Sequence, residues 1–365
     1  MNNKKIVFIS ILTSMFGVLI GALIMYLFIS FVLPINKVNP VIGEKKEVTV
    51  NDKGIADGVD NLYDAVVTIS SLSNNNVIAG GTGFVYKLDN KIAYIITNNH
   101  VIDSGNKAMV KFTNGKEIEA KIVGNDAISD IAVLSVESND IIKVANIGSS
   151  KSARIGDTVF AIGSPVSTEY NWTVTRGILS GKDRLVEAND KNSGSYAFNV
   201  LQTDTSINSG NSGGPLANVN GDVIGITNMK LVASTVEGIG FAIPIEEAIN
   251  IADELVKDGK VERPLLGVTM MDLQNKFELY KQGITLNTEL KEGVVVVDVQ
   301  KGSPADKSGI KRGDIIIKVD DIKITSVAGL RYQLYKHKLG DTINITYERN
   351  SKSSNASVKL DVINN

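Results

Sequence analysis

The chain of 365 residues contains no cysteine. Disulfides, thiolate metal sites and cysteine nucleophiles are therefore excluded. Histidine is nearly absent as well: His100 and His337 are the only two, too few for a histidine-rich metal centre. An excess of one charge is also missing. Thirty-eight Lys and Arg face 40 Asp and Glu, a net charge of −2, which argues against a basic face for nucleic acid. The 43% apolar and 21% charged fractions are globular values and exclude wholesale disorder. What remains is chemistry on hydroxyls, carboxylates and at most one well-placed imidazole. At roughly 100–200 residues per domain, the length predicts two or three folded units.

Ile6 to Leu33 carries no charged side chain, and Ser10, Thr13, Ser14 and Ser30 are its small polar interruptions. As a helix at ~1.5 Å per residue it reaches about 42 Å, against a hydrocarbon core of ~30 Å. The run is about twice the ~7–15 residues of a signal-peptide core, and no small-x-small cleavage pattern follows. The reading is an uncleaved anchor over 6–33. Lys4 and Lys5 precede it, so the positive-inside rule places residues 1–5 in the cytoplasm and everything after the span outside. Residues 34–54, with Pro40 and Gly43, read as a polar linker.

Beyond it, a short helix is expected at 55–62, and then apolar runs of four to eight residues alternate with Gly/Asn/Asp/Ser turns as far as Ile243. Examples are Ile92–Thr97, Ala108–Phe112, Ile131–Val136, Thr158–Ile162, Val223–Ile226 and Gly240–Ile243. Such spacing predicts a barrel or sandwich, and the extent suits two packed barrels. Pro244 to Lys257 has helical periodicity with Gly259 just past its end. The last hundred residues read as a separate unit with strands near Gly293–Val299, Ile315–Val319 and Thr342–Tyr347 and a helix near Val327–His337.

The most informative string is Gly210-Asn211-Ser212-Gly213-Gly214-Pro215. A serine hydroxyl needs a base to become a nucleophile. Glycines around it let the backbone approach a substrate and aim the Gly210 and Ser212 N–H groups at a developing oxyanion. Taken alone, the string reads equally as a glycine-rich turn. His100, at the end of the strand before Asn98-Asn99-His100, is the one credible base; His337, in Lys336-His337-Lys338, reads as solvated. Asp130, in Ser129-Asp130-Ile131, is placed to orient the imidazole, whereas Asp126 reads as a simple turn aspartate. The order His, Asp, Ser is that of chymotrypsin-like enzymes.

With these three strings, and with Gly80-Gly81-Thr82-Gly83-Phe84, Thr203–Asn208 and Gly238–Pro244, the sequence strongly resembles the HtrA family of serine proteases. The resemblance covers nearly everything after Asp57. It implies a mainly β protein: a chymotrypsin-like double β-barrel over 55–260, with the triad in the cleft between the barrels. By residue match His100 is the general base, Asp130 its orienter and Ser212 the nucleophile, with no metal or organic cofactor. The family usually has Pro where Ser209 stands, and Ala where Thr205 and Ser206 stand, which bears on the pocket rather than on the mechanism. Ser206, six positions before the nucleophile, is uncharged, and Ile207 and Gly240 are expected to line a pocket for small or medium aliphatic side chains. Asn211 cannot supply the aspartate that zymogen activation uses, so control by loop ordering is expected instead.

Residues 261–365 resemble a bacterial α+β PDZ domain, carried by Gly293–Val299, Gly302–Asp306 and Gly309–Ile316. The resemblance makes Leu265-Leu266-Gly267-Val268 the loop that captures a peptide's C-terminal carboxylate, with Arg263 able to assist by charge. Expected partners are unfolded polypeptide substrates, peptide C-termini, the membrane and, by resemblance, further copies of the chain in a homotrimer, with no nucleic acid. The alternative reading is a tethered chaperone or peptide sensor with an idle protease domain. Asn171, Asn344 and Asn355 begin glycosylation-type triplets, read as chance in a chain of bacterial character.

Overall fold

The computed structural model describes residues 3–32, 53–164, 172–190, 194–228 and 238–361. The chain divides into two compact units, Met1–Val50 and Asn51–Asn365. The first is represented by helix α1 (Asn3–Val32), in which Val7–Phe28 is long and apolar enough to cross a membrane. The apolar side chains of Val7–Phe28 pack against no other element among the described residues, and hydrophobic residues spread evenly around the helix leave it no polar face. The linker expected over 34–54 lies outside the described residues except for Lys53 and Gly54, which begin α2 (Lys53–Leu62). Asn171 also lies outside them.

The second unit opens with α2, followed by the strands β1 (Val66–Ser73), β2 (Asn76–Asp89) and β3 (Ile92–Asn98). The one-turn helix α3 (Asn99–Ile102) leads to β4 (Lys107–Lys111), β5 (Glu117–Asp126) and β6 (Ile131–Glu137). These six strands close into a barrel in the order β1-β2-β3-β6-β5-β4. Six more form a second closed barrel: β7 (Thr158–Gly163), β8 (Thr173–Asp190), β9 (Gly194–Thr203), β10 (Pro215–Asn218), β11 (Val223–Thr227) and β12 (Gly240–Pro244). The short apolar runs read from the sequence become strands because closure pairs every edge and buries the alternate side chains.

The barrels share a core. Phe84, Ile96, Ile131 and Val133 of the first meet Phe160, Ile162 and Ile226 of the second, together with Leu62 of α2. Helix α4 (Ile245–Asp258) seals this seam with Ile245, Ala248, Ala252 and Leu255. Its start and end fall within one residue of the expected 244–257, because Pro244 precedes its first turn and Gly259 caps it in the left-handed region.

The third layer is a sheet in the order β13-β14-β15-β17-β18, formed by β13 (Val268–Asp272), β14 (Val294–Val299), β15 (Ile315–Val319), β17 (Thr342–Arg349) and β18 (Lys352–Lys359), with the short β16 (Ile322–Lys323) beside β15. Helices α5 (Lys276–Lys281), α6 (Pro304–Lys307) and α7 (Val327–Leu334) accompany it. α7 is three residues shorter than the expected 327–337. It ends at Leu334 with Tyr335 as its C-cap, and the following turn places His337 between the carboxylates of Asp320 (3.5 Å) and Asp341 (3.9 Å) rather than in open solvent. Strand β13 is an edge of its sheet.

Candidate active site

β3 runs into α3, so His100 emerges at the mouth of the first barrel, its side chain about a quarter exposed (27%). The β5–β6 hairpin brings Asp130 beneath it. Asp130 is fully buried and sits in the left-handed region at φ 56°, a conformation that a short acidic side chain tolerates. Its carboxylate faces α3. His100 Nδ1 lies 2.7 Å from Oδ2, and the His100 backbone N–H donates to Oδ1 at 3.0 Å. The Asp130 carbonyl accepts from Asn98 Nδ2 (2.9 Å) and from the Asn99 N–H (3.0 Å). Asn228 Nδ2 adds a bond to Oδ2 at 2.8 Å. A carboxylate can only accept, so the imidazole proton belongs on Nδ1 and the lone pair is left at Nε2.

The Ser212 loop is tied to the same elements from the other barrel. The Thr82 N–H donates to the Ser212 carbonyl at 2.9 Å, and the Thr82 hydroxyl donates to the Gly210 carbonyl at 2.7 Å. The Thr82 carbonyl accepts from Thr97 Oγ1 (2.7 Å) and its hydroxyl accepts from the Ser164 N–H (3.0 Å). One buried threonine thus links β2, β3, β7 and the Ser212 loop. Gly213 must be glycine: a Cβ there would stand 2.2 Å from Thr97 Oγ1 and 2.9 Å from the Asn98 nitrogen, and its φ is +82°. Gly213 N–H bonds the Thr227 carbonyl (2.9 Å), and the Thr227 N–H returns to the Gly214 carbonyl (2.9 Å). The Thr227 hydroxyl donates to the Asn211 carbonyl at 2.5 Å. Thr227 is followed by Asn228, so one stretch of β11 and its exit anchors both the Ser212 loop and the Asp130 carboxylate. Ser212 itself is buried (4% exposed).

The sequence reading missed Thr82, Thr227 and Asn228. Thr82 stood inside a string singled out for its glycines, but a hydroxyl's partners 128 residues away leave no local pattern.

Of the expected pocket residues, the structure brings Ile207 and Gly240 together: a Cβ on Gly240 would come within 2.7 Å of Ile207 Cγ1. Ile207 packs on the core of the second barrel beside Leu201 and Ala242. Ser206 is exposed, and its carbonyl accepts from Thr175 Oγ1 (3.0 Å) and Asn211 Nδ2 (3.2 Å). Thr205 departs from the family's alanine, and its hydroxyl is taken up by Thr203 Oγ1 at 2.7 Å. The Asp204 carboxylate accepts from the Ile178 N–H at 2.6 Å.

On the third layer, β13 and α7 flank a groove of about 360 Å³ whose lining includes Leu265, Leu266, Gly267 and Val268. Gly267 sits at φ +73°. The carbonyls of Leu266 and Gly267 are bonded away by the N–H groups of Ala305 (3.0 Å) and Gln300 (2.9 Å). Arg331, Leu334 and Tyr335 form the opposite wall. α7 also touches the protease barrel: Arg331 Nη1 donates to the Ser195 carbonyl at 2.7 Å, and the Ser326 hydroxyl bonds Glu187.

Arg263 does not serve the groove as expected. Its guanidinium grips Asp126 through both oxygens, Nη1 to Oδ1 at 2.5 Å and Nη2 to Oδ2 at 2.7 Å. Asp126 is accordingly no simple turn residue: both side chains are nearly buried, 11% and 10% exposed. A buried carboxylate demands a paired cation, and Arg263 is the cation placed to supply it. Elsewhere, burial alone would raise the Glu246 carboxyl, but hydrogen bonds from Ser150, from Ser149 (2.8 Å) and from the Lys151 N–H hold it down to about 2. Among the described residues no cluster of His, Asp and Glu could hold a metal ion.

Residues 81–226 match the trypsin-like peptidase domain, and residues 264–360 the PDZ domain. The "Serine protease Do-like HtrA" of Bacillus subtilis is 41% identical over 326 residues, 84% of this chain and 72% of that protein. The crystal structure of the serine endoprotease from Yersinia pestis is similar at a TM-score of 0.63 and 32% identity, covering 85% of this chain and 98% of that one. The HtrA-type protease AlgW solved with a decapeptide gives 0.65 at 27%, covering 85% and 99%. A buried carboxylate under an imidazole, a serine loop fixed by Thr82 and Thr227, and a PDZ groove therefore stand in one chain, which belongs to the HtrA family of serine proteases and is a serine endopeptidase.

Proposed function

We propose that Ser212 is the nucleophile, His100 the general base and Asp130 the residue that orients it. Ser212 Oγ attacks the scissile carbonyl carbon while its proton passes to His100 Nε2. The C–N bond then breaks and the amine leaves with that proton. Water, deprotonated by the same imidazole, cleaves the acyl ester, releases the new carboxylate terminus and restores the serine. The Gly210 and Ser212 N–H groups hold the oxyanion, with the Gly210–Asn211 peptide fixed by the Thr82 hydroxyl. Ile207 and Gly240, with Ser206 contributing no charge, favour small or medium aliphatic residues before the cut. One methylene is worth only ~1–3 kcal/mol, so selection is loose.

The observation that carries this reading is the 2.7 Å contact between His100 Nδ1 and the buried Asp130, which fixes the tautomer an attacking serine requires. The reading extends to the whole chain. The catalytic domain spans 55–260 and the PDZ domain 261–365, whose loop 265–268 captures peptide C-termini by adding them to the free edge of β13. Helix α1 anchors the protein in a bacterial cell membrane, with both domains outside the cytoplasm, where it removes misfolded or exposed polypeptides as a homotrimer.

The test is casein hydrolysis by the full chain in detergent, beside Ser212→Ala. Cleavage that disappears in the variant supports the reading. Polypeptide binding with no Ser212-dependent cleavage would replace it with a tethered chaperone.

A further inference from the structure

The Asp130 turn is held on three sides besides the imidazole. Asp126 ends β5 and closes the turn: its Oδ2 accepts from the Ser129 N–H at 2.7 Å and from the Ser129 hydroxyl at 2.5 Å. Ser129 is the residue before Asp130, whose left-handed φ must be maintained for the carboxylate to face α3. Ile128, the next residue back, packs against Tyr196, Phe198 and Val200 of β9. The third side is Arg263, which grips both oxygens of Asp126 and lies with its guanidinium 5.1 Å from the ring centroid of Tyr335, at the end of α7. The cation is thus supplied from residue 263, immediately before the stretch 264–360 that matches the PDZ domain, and steadied by an aromatic ring of that stretch.

We infer that Arg263 is a positioning residue for peptide hydrolysis, acting through Asp126 and Ser129 to fix the turn that presents Asp130 to His100. The inference rests on the triad reading above. Asp126 shares one oxygen between Arg263 and Ser129. With the guanidinium gone, an almost buried carboxylate loses its counter-charge and must move toward water, taking the Ser129 bonds with it. Asp130 keeps the main-chain bond from the Asn99 N–H but loses the constraint on its φ, so the carboxylate samples positions away from His100 Nδ1. A bidentate fork is what the geometry uses, and a lysine at 263 replaces the charge without the second bond.

The test uses the full chain as Arg263→Gln, Asp126→Asn and the double variant, with Arg263→Lys as the conservative exchange. Each single variant is expected to lower kcat on a fluorogenic peptide about tenfold with KM changed less than twofold. The double variant should fall no further, and the lysine variant should recover part of the loss. A second readout is independent of turnover. The chain has only two histidines, so the far-downfield proton of His100 Nδ1–H bonded to Asp130 is assignable in a one-dimensional proton spectrum. In Arg263→Gln it should broaden or move upfield. An unchanged resonance with unchanged kcat, accompanied only by a lower melting temperature, would reduce Arg263 to a structural tie and overturn the inference. So would losses that multiply in the double variant. Activity that survives Ser212→Ala would instead defeat the triad reading, while the resonance would still report on Arg263.

Discussion

Asp130 in the cleft accepts five hydrogen bonds, two at its carbonyl and three at its carboxylate, and is sealed from water. β13, beside the groove of the third layer, pairs with β14 on one side and leaves its other edge toward α7. The pairing of His100 with Asp130 is in place without a substrate. The groove keeps the edge of β13 unpaired by any strand among the described residues, and its wall helix is shared with the protease barrel through Arg331 and Ser326. The contrast shows where each region spends its order. Catalysis gains from groups that need no reorganisation when charge develops, whereas recognition by strand addition gains from an edge held open.

The sharpest way to break that contrast is Asp130→Asn. An amide at this position presents the wrong donor–acceptor pattern to Nδ1, and kcat should fall by about 10⁴-fold, with PDZ peptide affinity unchanged by fluorescence anisotropy. A parallel loss of peptide affinity would mean that the two regions are not separable. Next in size is Thr82→Val, which keeps the shape and removes the hydroxyl bonded to the Gly210 carbonyl and the Ser164 N–H. We expect kcat/KM to drop roughly ten- to a hundredfold, toward the range seen when an oxyanion donor is removed. Thr82→Ser should restore most of it.

Gly267→Val probes the other region. A β-branched residue at φ +73° is strained by about 1–2 kcal/mol, so peptide affinity should weaken roughly tenfold, while hydrolysis of a short peptide too small to span the groove changes less than twofold. The smallest expected effect is Glu246→Gln. The folded-state carboxyl, held near 2, lies below its ordinary value of 4.5. Its stabilisation is therefore fully present above about pH 4.5 and disappears as the pH falls toward 2. Thermal melts should show the variant below the wild type at pH 7 and the two converging near pH 2.

The barrels, and the pairing of His100 with Asp130, were legible in the sequence because their signals are local: apolar runs closed by turns, with the histidine and the aspartate at the ends of two of them. Helix α4 was legible to within a residue for the same reason. The hidden parts are those whose chemistry spans the fold. Asp126 and Arg263 are 137 residues apart, and each alone looks like an ordinary surface charge; only burial turns them into an obligatory pair. Asn228 shows no sign in sequence of its bond to Asp130, 98 residues earlier. The end of α7 was overestimated because Lys336-His337-Lys338 has helical propensity, yet the turn that places His337 between Asp320 and Asp341 ends the helix.

The central claim is that the fold makes one alcohol reactive by setting an imidazole, itself held by Asp130, against it. Covalent labelling of the full chain with a serine-directed phosphonate, mapped by mass spectrometry, tests this most directly. The account predicts a single adduct on Ser212 that is lost in His100→Ala. Labelling that spares Ser212, or that proceeds at an unchanged rate without the imidazole, would contradict it.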